Sequence, residues 1–338
     1  MRTEDFAYEL PPELIAQEPA DPRDSARLMV LDRSSRTIRH RVVRDLPEEL
    51  RRGDLLVVND TRVMAARLYG RSADTGGTIE ILLVRPFTDT RWEVLMKPAR
   101  RALEGRRFTF TTNEGELEAV CSGRAGNAVI LDFARPFDPA SVGEVPLPPY
   151  IKGFRGDPER YQTVYSREAR SAAAPTAGLH FTPELLARLE AAGIGRVAVT
   201  LEVGPGTFKA VDVDDPREFD LHAEHVTVPE DAAREIGRAR AEGRRIVAVG
   251  TTVVRTLEHV ARERGEIEPY AGWTSLKILP GDEFKVVDVL MTNFHLPRST
   301  LLMLVSAFAE QQFVLEAYRE AVRERYRFYS FGDAMLLV

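Results

Sequence analysis

The sequence is almost without cysteine. Cys121 is the only one in 338 residues, which excludes an internal disulfide and any multi-cysteine zinc or iron–sulfur site. It sits in the alternating run Leu117-Glu118-Ala119-Val120-Cys121 and reads as a small buried apolar residue. Long apolar runs are missing too. The longest, around Leu301 to Phe308, is far short of the ~20 residues a membrane span needs. Met1-Arg2-Thr3-Glu4-Asp5 is charged and no apolar stretch follows it, so a signal peptide is not expected and the expected location is the cytoplasm. His222-Ala223-Glu224-His225 has metal-like spacing but no evident third ligand, so no metal is expected. Val203-Gly204-Pro205-Gly206 lacks the strand–GxGxxG–helix context of a dinucleotide fingerprint, so no nicotinamide cofactor is expected.

What is present is an ordinary globular composition, 44% hydrophobic and 29% charged, with a length that suggests about two domains. The net charge of −6 argues against a wholesale nucleic-acid coat, but it hides an asymmetry. Residues 51–110 carry twelve Arg/Lys against seven Asp/Glu, and residues 201–235 three against ten. A basic lobe of this kind suits a polyanion or is simply a solvated face.

The texture also changes along the chain. Arg27–Leu31 and Asp54–Val58 read as strands. From Ala66 to about Val145, short alternating runs (Thr78–Val84, Trp92–Met96, Arg107–Phe110, Ala128–Phe133) are separated by turn residues, a small barrel or sandwich. Pro146-Leu147-Pro148-Pro149-Tyr150 closes this block. Strand–helix alternation follows: a helix capped by Thr182-Pro183-Glu184, a strand over Arg196–Val203, a helix over Glu230–Glu242 and a strand over Arg245–Val249. A helix after Thr252, a strand over Val286–Leu290 and a last helical region over Thr300–Arg325 complete it. This pattern implies a three-layer α/β core with a largely parallel sheet. Residues 1–62 and 155–338 are expected to form one discontinuous domain, interrupted by the inserted β-rich domain at 63–154.

Four polar clusters each follow an apolar strand: Asn59-Asp60-Thr61-Arg62, Gly204-Pro205-Gly206-Thr207, Gly250-Thr251-Thr252 with Arg255, and Thr292-Asn293-Phe294-His295. Loops beyond strand carboxyl ends are where open α/β sheets bind ligands. A fifth, Pro175-Thr176-Ala177-Gly178-Leu179-His180, precedes a helix N-terminus, which favours anions. Each has a plainer reading: tight-turn glycines at Gly204 and Gly206, a helix N-cap at Thr251 or Thr252, a local Asp60–Arg62 ion pair, and a core histidine at His295.

Taken together these strings resemble one family. They run from Asp5-Phe6-Ala7-Tyr8-Glu9-Leu10-Pro11 through Val58–Val63, Pro146–Ile151, Tyr161–Tyr165, Ala172–Thr182, Gly204–Phe208, Gly250–Glu258 and Thr292–Pro297 to Gly332-Asp333-Ala334-Met335. The chain is similar over nearly its whole length to the S-adenosylmethionine:tRNA ribosyltransferase-isomerase family of queuosine biosynthesis. The resemblance implies a three-layer α/β domain interrupted by a β-barrel. It also implies transfer and isomerisation of the ribosyl group of S-adenosylmethionine onto preQ1 at the tRNA wobble position, giving epoxyqueuosine-tRNA, adenine and methionine.

S-Adenosylmethionine would then be a co-substrate, with no resident cofactor and no protein partner implied. For such proton transfers the acid–base candidates are His180, Glu224 and His295. Asp60, Thr176, Thr207, Thr252 and Asn293 would orient ribose and amino-acid groups, with Asn59, Pro175, Ala177, Gly178, Gly204, Gly206, Thr251 and Thr292 completing the site. Arg62 or Arg255 would take a carboxylate or phosphate. Arg85, Lys97, Arg100, Arg101, Arg106 and Arg107 form a candidate tRNA-facing surface. The chain departs from the family pattern at Glu202 (usually histidine), Arg170, Ser275 and Glu310 (commonly glycine). Competing readings are a methyltransferase and a non-catalytic RNA-binding module.

Overall fold

The computed structural model describes residues 1–126, 128–204 and 211–338. The chain opens with strands β1 (Arg27–Asp32) and β2 (Thr37–Val42), one helical turn α1 (Leu46–Glu49) and strand β3 (Leu55–Asn59). The short β4 (Arg62–Val63) leads to β5 (Arg67–Ser72), β6 (Thr78–Pro86), β7 (Arg91–Lys97), β8 (Arg107–Thr112), β9 (Gly115–Ala125) and β10 (Ala128–Phe133). A turn α2 (Pro139–Val142) and strand β11 (Ala169–Ser171) follow. Then come α3 (Pro183–Ala191), β12 (Gly195–Leu201), β13 (Glu224–Val228), α4 (Glu230–Ala241), β14 (Ile246–Val249) and α5 (Thr251–Arg264). The chain ends with β15 (Tyr270–Thr274), β16 (Val289–Asn293), α6 (Thr300–Ala309), α7 (Gln311–Arg323) and β17 (Ala334–Leu337).

These elements divide into two units. The larger comprises Met1–Arg62, Pro148–Glu168 and Ala174–Val338, the smaller Val63–Leu147 and Ala169–Ala173. The larger unit is a mixed α/β body built on a nine-stranded sheet ordered β15-β13-β12-β3-β14-β16-β17-β1-β2. Strand β3, Leu-Leu-Val-Val-Asn, is buried along its whole length, as expected of a strand covered on both faces. Its alternate residues feed two separate cores. Leu55 and Val57 pack with apolar residues of α4, α5, α6 and α7, while Leu56 and Val58 pack with Leu46 of α1, Ala177, Phe181 and the α3 leucines. Each such side chain contributes roughly 1.5–3 kcal/mol when fully buried.

The expectation of a largely parallel sheet holds for its centre and for the β1–β17 pair. Strands β12, β3, β14 and β16 are mutually parallel. Among the described residues, four of the eight pairings are antiparallel: β15–β13, β13–β12, β16–β17 and β1–β2. The β1–β2 link spans residues 33–36 only, too short for the crossover that a parallel pair requires. The sequence-predicted strand over Val286–Leu290 begins later, at Val289. The amides of Lys285, Val286 and Val287 are instead taken by the Glu258 carboxylate, at 2.8, 2.9 and 3.1 Å. The single helical region expected over Thr300–Arg325 is two helices, broken at Glu310, whose φ is 68°.

The smaller unit is a closed six-stranded barrel in the order β10-β7-β6-β5-β8-β9. Its period-two residues, among them Leu68, Ile81, Val94, Phe108, Phe110 and Leu131, fill the interior with the buried Cys121.

Candidate active site

The carboxyl ends of the parallel strands converge on one cleft in the larger unit. It is lined by Val203 after β12, Gly250, Thr251 and Thr252 after β14, and Thr292, Asn293 and His295 at the end of β16. Pro175, Thr176 and Ala177, from the turn before α3, form another wall. This is the edge at which open α/β sheets bind ligands. The N-terminus of α5 reaches the cleft at Thr251, and that of α6 reaches it at Ser299 and Leu301. Two helix N-termini place partial positive charge there and favour an anionic group.

Gly250 is the N-cap of α5 with φ 95°, a conformation that suits glycine. Thr251 and Thr252 are therefore the first helical residues rather than the cap. Thr252 Oγ1 accepts from Asn59 Nδ2 at 3.3 Å. The Asn59 amide also donates to the Leu201 carbonyl (3.0 Å) and accepts from the N–H groups of Thr61 and Leu201 (both 3.1 Å). Both its donors and both its lone-pair directions are thus engaged in tying β3 to β12.

His295 lines the cleft. Its Nε2 lies 2.8 Å from Thr292 Oγ1, its backbone N–H donates to the Tyr318 hydroxyl (3.0 Å) and its carbonyl accepts from Tyr8 (2.5 Å). Tyr8, from the N-terminal Asp5–Pro11 string, thus clamps the histidine loop. Burial pushes the His295 pKa down to about 3, so the ring is neutral near pH 7.

His180 closes the turn Thr176–His180, beneath the cleft wall rather than in it. Burial, assisted by Arg327, lowers its pKa to about 4, while the Asn293 amide favours the protonated ring. The Asn293 side chain is thus the group that faces the His180 ring, and His180 Nε2 and Asn293 Oδ1 have no other hydrogen-bond partner among the described residues.

Glu224 and Arg255 are buried and form an ion pair. Glu224 also accepts the Gly204 N–H at 2.8 Å, and Arg255 Nε donates to the Leu276 carbonyl at 2.9 Å. Arg255 Nη2 is a buried donor without a partner among the described residues. Neither residue lines the cleft. Asp60 and Arg62 are not paired with each other: Asp60 accepts from Thr200 (2.6 Å) and lies 3.5 Å from Arg167, and Arg62 pairs with Glu159. Gly178 packs against Tyr165 and Thr163. Gly206 and Thr207 lie outside the described residues.

The cleft also uses residues that sequence reasoning passed over. Tyr150, Tyr329 and Ser330 line it. The two rings meet at 4.8 Å and the Tyr150 hydroxyl lies 2.7 Å from Ser330 Oγ. Tyr329 has φ 70°, a conformation rare for a bulky side chain. No local signal in Arg327-Phe328-Tyr329-Ser330 marks that geometry.

In the barrel, Arg85 pairs with Glu93, Arg101 donates to the Thr78 carbonyl and Arg106 lies near Asp74. Lys97, Arg100 and Arg107 have no ion-pair partner among the described residues.

A strand-end cleft with two helix N-termini and a row of threonine hydroxyls places the chain among α/β proteins whose strand-end loops suit a polar, anion-bearing ligand. The chain belongs to the queuosine biosynthesis protein family, whose profile matches residues 3–337, a family of transferase-isomerase enzymes. It is 53% identical to the S-adenosylmethionine:tRNA ribosyltransferase-isomerases of Symbiobacterium thermophilum and Moorella thermoacetica, each covered fully on both sides. The crystal structure of S-adenosylmethionine tRNA ribosyltransferase from Thermotoga maritima is 45% identical. It matches 99% of this chain and 100% of that one with a TM-score of 0.58. No helix among the described residues is long and apolar enough to cross a membrane.

Proposed function

We propose that this chain transfers and isomerises the ribosyl group of S-adenosylmethionine onto preQ1 at the wobble position of tRNA. The products are epoxyqueuosine-tRNA, adenine and methionine, S-adenosylmethionine is consumed as co-substrate, and the reaction takes place in the cytoplasm without a resident cofactor or metal. The observation that carries this reading is the convergence of the α5 and α6 N-termini on a threonine-lined cleft, in a chain about half identical to enzymes of that name. The helix ends suit the carboxylate of the methionyl moiety. Thr176, Thr251, Thr252 and Thr292 offer hydroxyls to the ribose, and Tyr150 with Tyr329 offers a wall for adenine.

The sulfonium acidifies the neighbouring 5′ hydrogens of the ribose, so a positioned base can remove one. Adenine leaves from the anomeric carbon with a proton delivered to the purine. Loss of the 5′ proton opens the ring at its C4′–O bond, and the freed oxygen becomes the anomeric carbonyl as adenine goes. The tRNA amine adds to C4′, losing a proton, and the C5′ carbanion so formed closes onto the anomeric carbon, whose alkoxide displaces methionine from C5′ to make the epoxide. Of the acid–base candidates the geometry favours His295, the one that lines the cleft. His180 acts beside Asn293. Glu224 with Arg255 positions the Gly204 backbone and leaves the Arg255 Nη2 donor for an anionic group. Asn59, Asp60 and Arg62 hold the strand ends that carry the cleft. Lys97, Arg100 and Arg107 of the barrel are assigned to tRNA phosphates.

The test is incubation with S-adenosylmethionine and preQ1-containing tRNA, followed by mass spectrometry of small molecules and digested nucleosides. Free adenine, methionine and epoxyqueuosine are expected. S-Adenosylhomocysteine with a methylated nucleoside would establish methyl transfer instead. RNA binding with S-adenosylmethionine left intact would reduce the chain to a binding module. A His295→Ala enzyme is expected to lose on the order of 10²-fold or more in kcat while still binding tRNA.

A further inference from the structure

Trp273 is 56% exposed, a large aromatic surface left to solvent. It lies on β15 directly across from His225 of β13, the two rings 5.3 Å apart in an edge-to-face arrangement. On the other side of His225 is Glu202: its N–H donates to the His225 carbonyl at 2.9 Å and its carboxylate lies 3.6 Å from Nδ1. Glu202, His225 and Trp273 thus form one row across three strands. The period of two puts Thr200, Thr227 and Ala271 in the next row on the same face. Val199 and Val226 point the other way and are fully buried.

The row stands at the carboxyl end of β12, and the next residue, Val203, lines the cleft. At about 4.8 Å per strand, Trp273 is about 10 Å to the side of β12. A cation stands by: Arg167, 75% exposed, pairs with Asp60, which accepts the Thr200 hydroxyl.

We propose that this open sheet face is a stacking platform for an unpaired nucleobase of the tRNA anticodon loop. Trp273 and His225 hold a base flanking the wobble position while the wobble base enters the cleft, and Arg167 meets the backbone. The inference rests on the ribosyl-transfer reading. An open sheet face carrying aromatic side chains is a recurring way of holding single-stranded bases. The platform adjoins the cleft that an acceptor base must reach. Apart from Trp273 and Ala271 its side chains are polar or charged, which suits a nucleobase better than an apolar protein surface; the Glu202 carboxylate is turned to His225, and Arg167 is the cation left for the backbone.

The chain has two tryptophans. Trp92 is buried in the barrel, so an RNA-dependent change in exposed indole emission reports Trp273. Titration with a synthetic anticodon stem-loop RNA is expected to quench that emission saturably, and the signal is expected to vanish in Trp273→Phe. Trp273→Ala is expected to weaken stem-loop binding about tenfold or more, Trp273→Phe to keep most of the affinity, and both to bind S-adenosylmethionine like the wild type. A fully paired RNA duplex of equal length should leave the emission unchanged. Absence of quenching, equal quenching by the duplex, or wild-type affinity in Trp273→Ala overturns the platform. A changed oligomeric mass in Trp273→Ala with RNA affinity retained would assign the face to a second copy of the chain and likewise overturn it. Failure of the ribosyl-transfer reading shows separately, as no free adenine from the wild-type enzyme.

Discussion

At Gly178 a methyl group would sit 2.3 Å from the Tyr165 hydroxyl and 2.8 Å from Thr163 Cγ2. Thr163 is buried and Tyr165 partly so, packed against the core that holds Ala177 and Phe181, so the glycine permits a close approach. Gly178→Ala is expected to lower stability by roughly 1–3 kcal/mol, read from the denaturant midpoint. Tyr165→Phe in the same background should recover part of that loss, because the hydroxyl is the nearest obstacle and is itself buried without a hydrogen-bond partner among the described residues. Wild-type stability of Gly178→Ala would remove the argument. Other single residues show the same gap between type and role. Asn59 has the chemistry of a ligand-binding amide, yet every polar direction it has is spent on the framework. Residue type reveals what a side chain is able to bond, whereas the partner is decided by which strand lies next to it. Glu202 is the converse case. Its partner His225 comes from the neighbouring strand.

At the scale of elements, the runs that are apolar throughout could be read directly, since β3 and β14 are buried on both faces. Helix α3 was also legible, because Thr182 Oγ1 accepts from the Leu185 N–H at 3.0 Å as its cap. The α6–α7 break was not. A helical period continues across Glu310 in the sequence, but that residue has φ 68° and ψ 129°, where a Cβ is costly. Its carboxylate pairs with Arg36, both side chains half exposed, and such a surface pair contributes little. Glu310→Gly is therefore expected to raise stability by about 0.5–1 kcal/mol, the relief of strain outweighing the pair and the extra flexibility of glycine. A higher denaturant midpoint with an unchanged slope would show it; a lower midpoint would mean that the pair dominates.

For the molecule as a whole, the two buried histidines predict its behaviour in acid. His180 and His295 have native pKa values near 4 and 3, below the 6.5 of a free imidazole. Above pH 6.5 neither state is protonated at these rings. As pH falls from 6.5 toward 4, the unfolded chain binds protons that the native one refuses, so stability falls. Each ring contributes a slope of up to ~1.4 kcal/mol per pH unit. Denaturant unfolding at pH 7, 6 and 5 is expected to show this steepening loss, and His295→Gln to remove about half of it. A flat profile between pH 7 and 5 would show that these rings are not held neutral.

The sequence by itself determined the family, the apolar strands, the capped helix and the polar clusters that follow the strands. These depend on local periodicity and on short strings that persist whatever they pack against. Only the tertiary structure decided that the sheet is parallel at its centre and mixed toward its edges. It also decided that Tyr150 meets Tyr329 from the far end of the chain, and that Glu202, His225 and Trp273 stand in one row. Those facts rest on pairing between segments tens to hundreds of residues apart. Register and burial there are set by the shared core, and no local window of residues carries them.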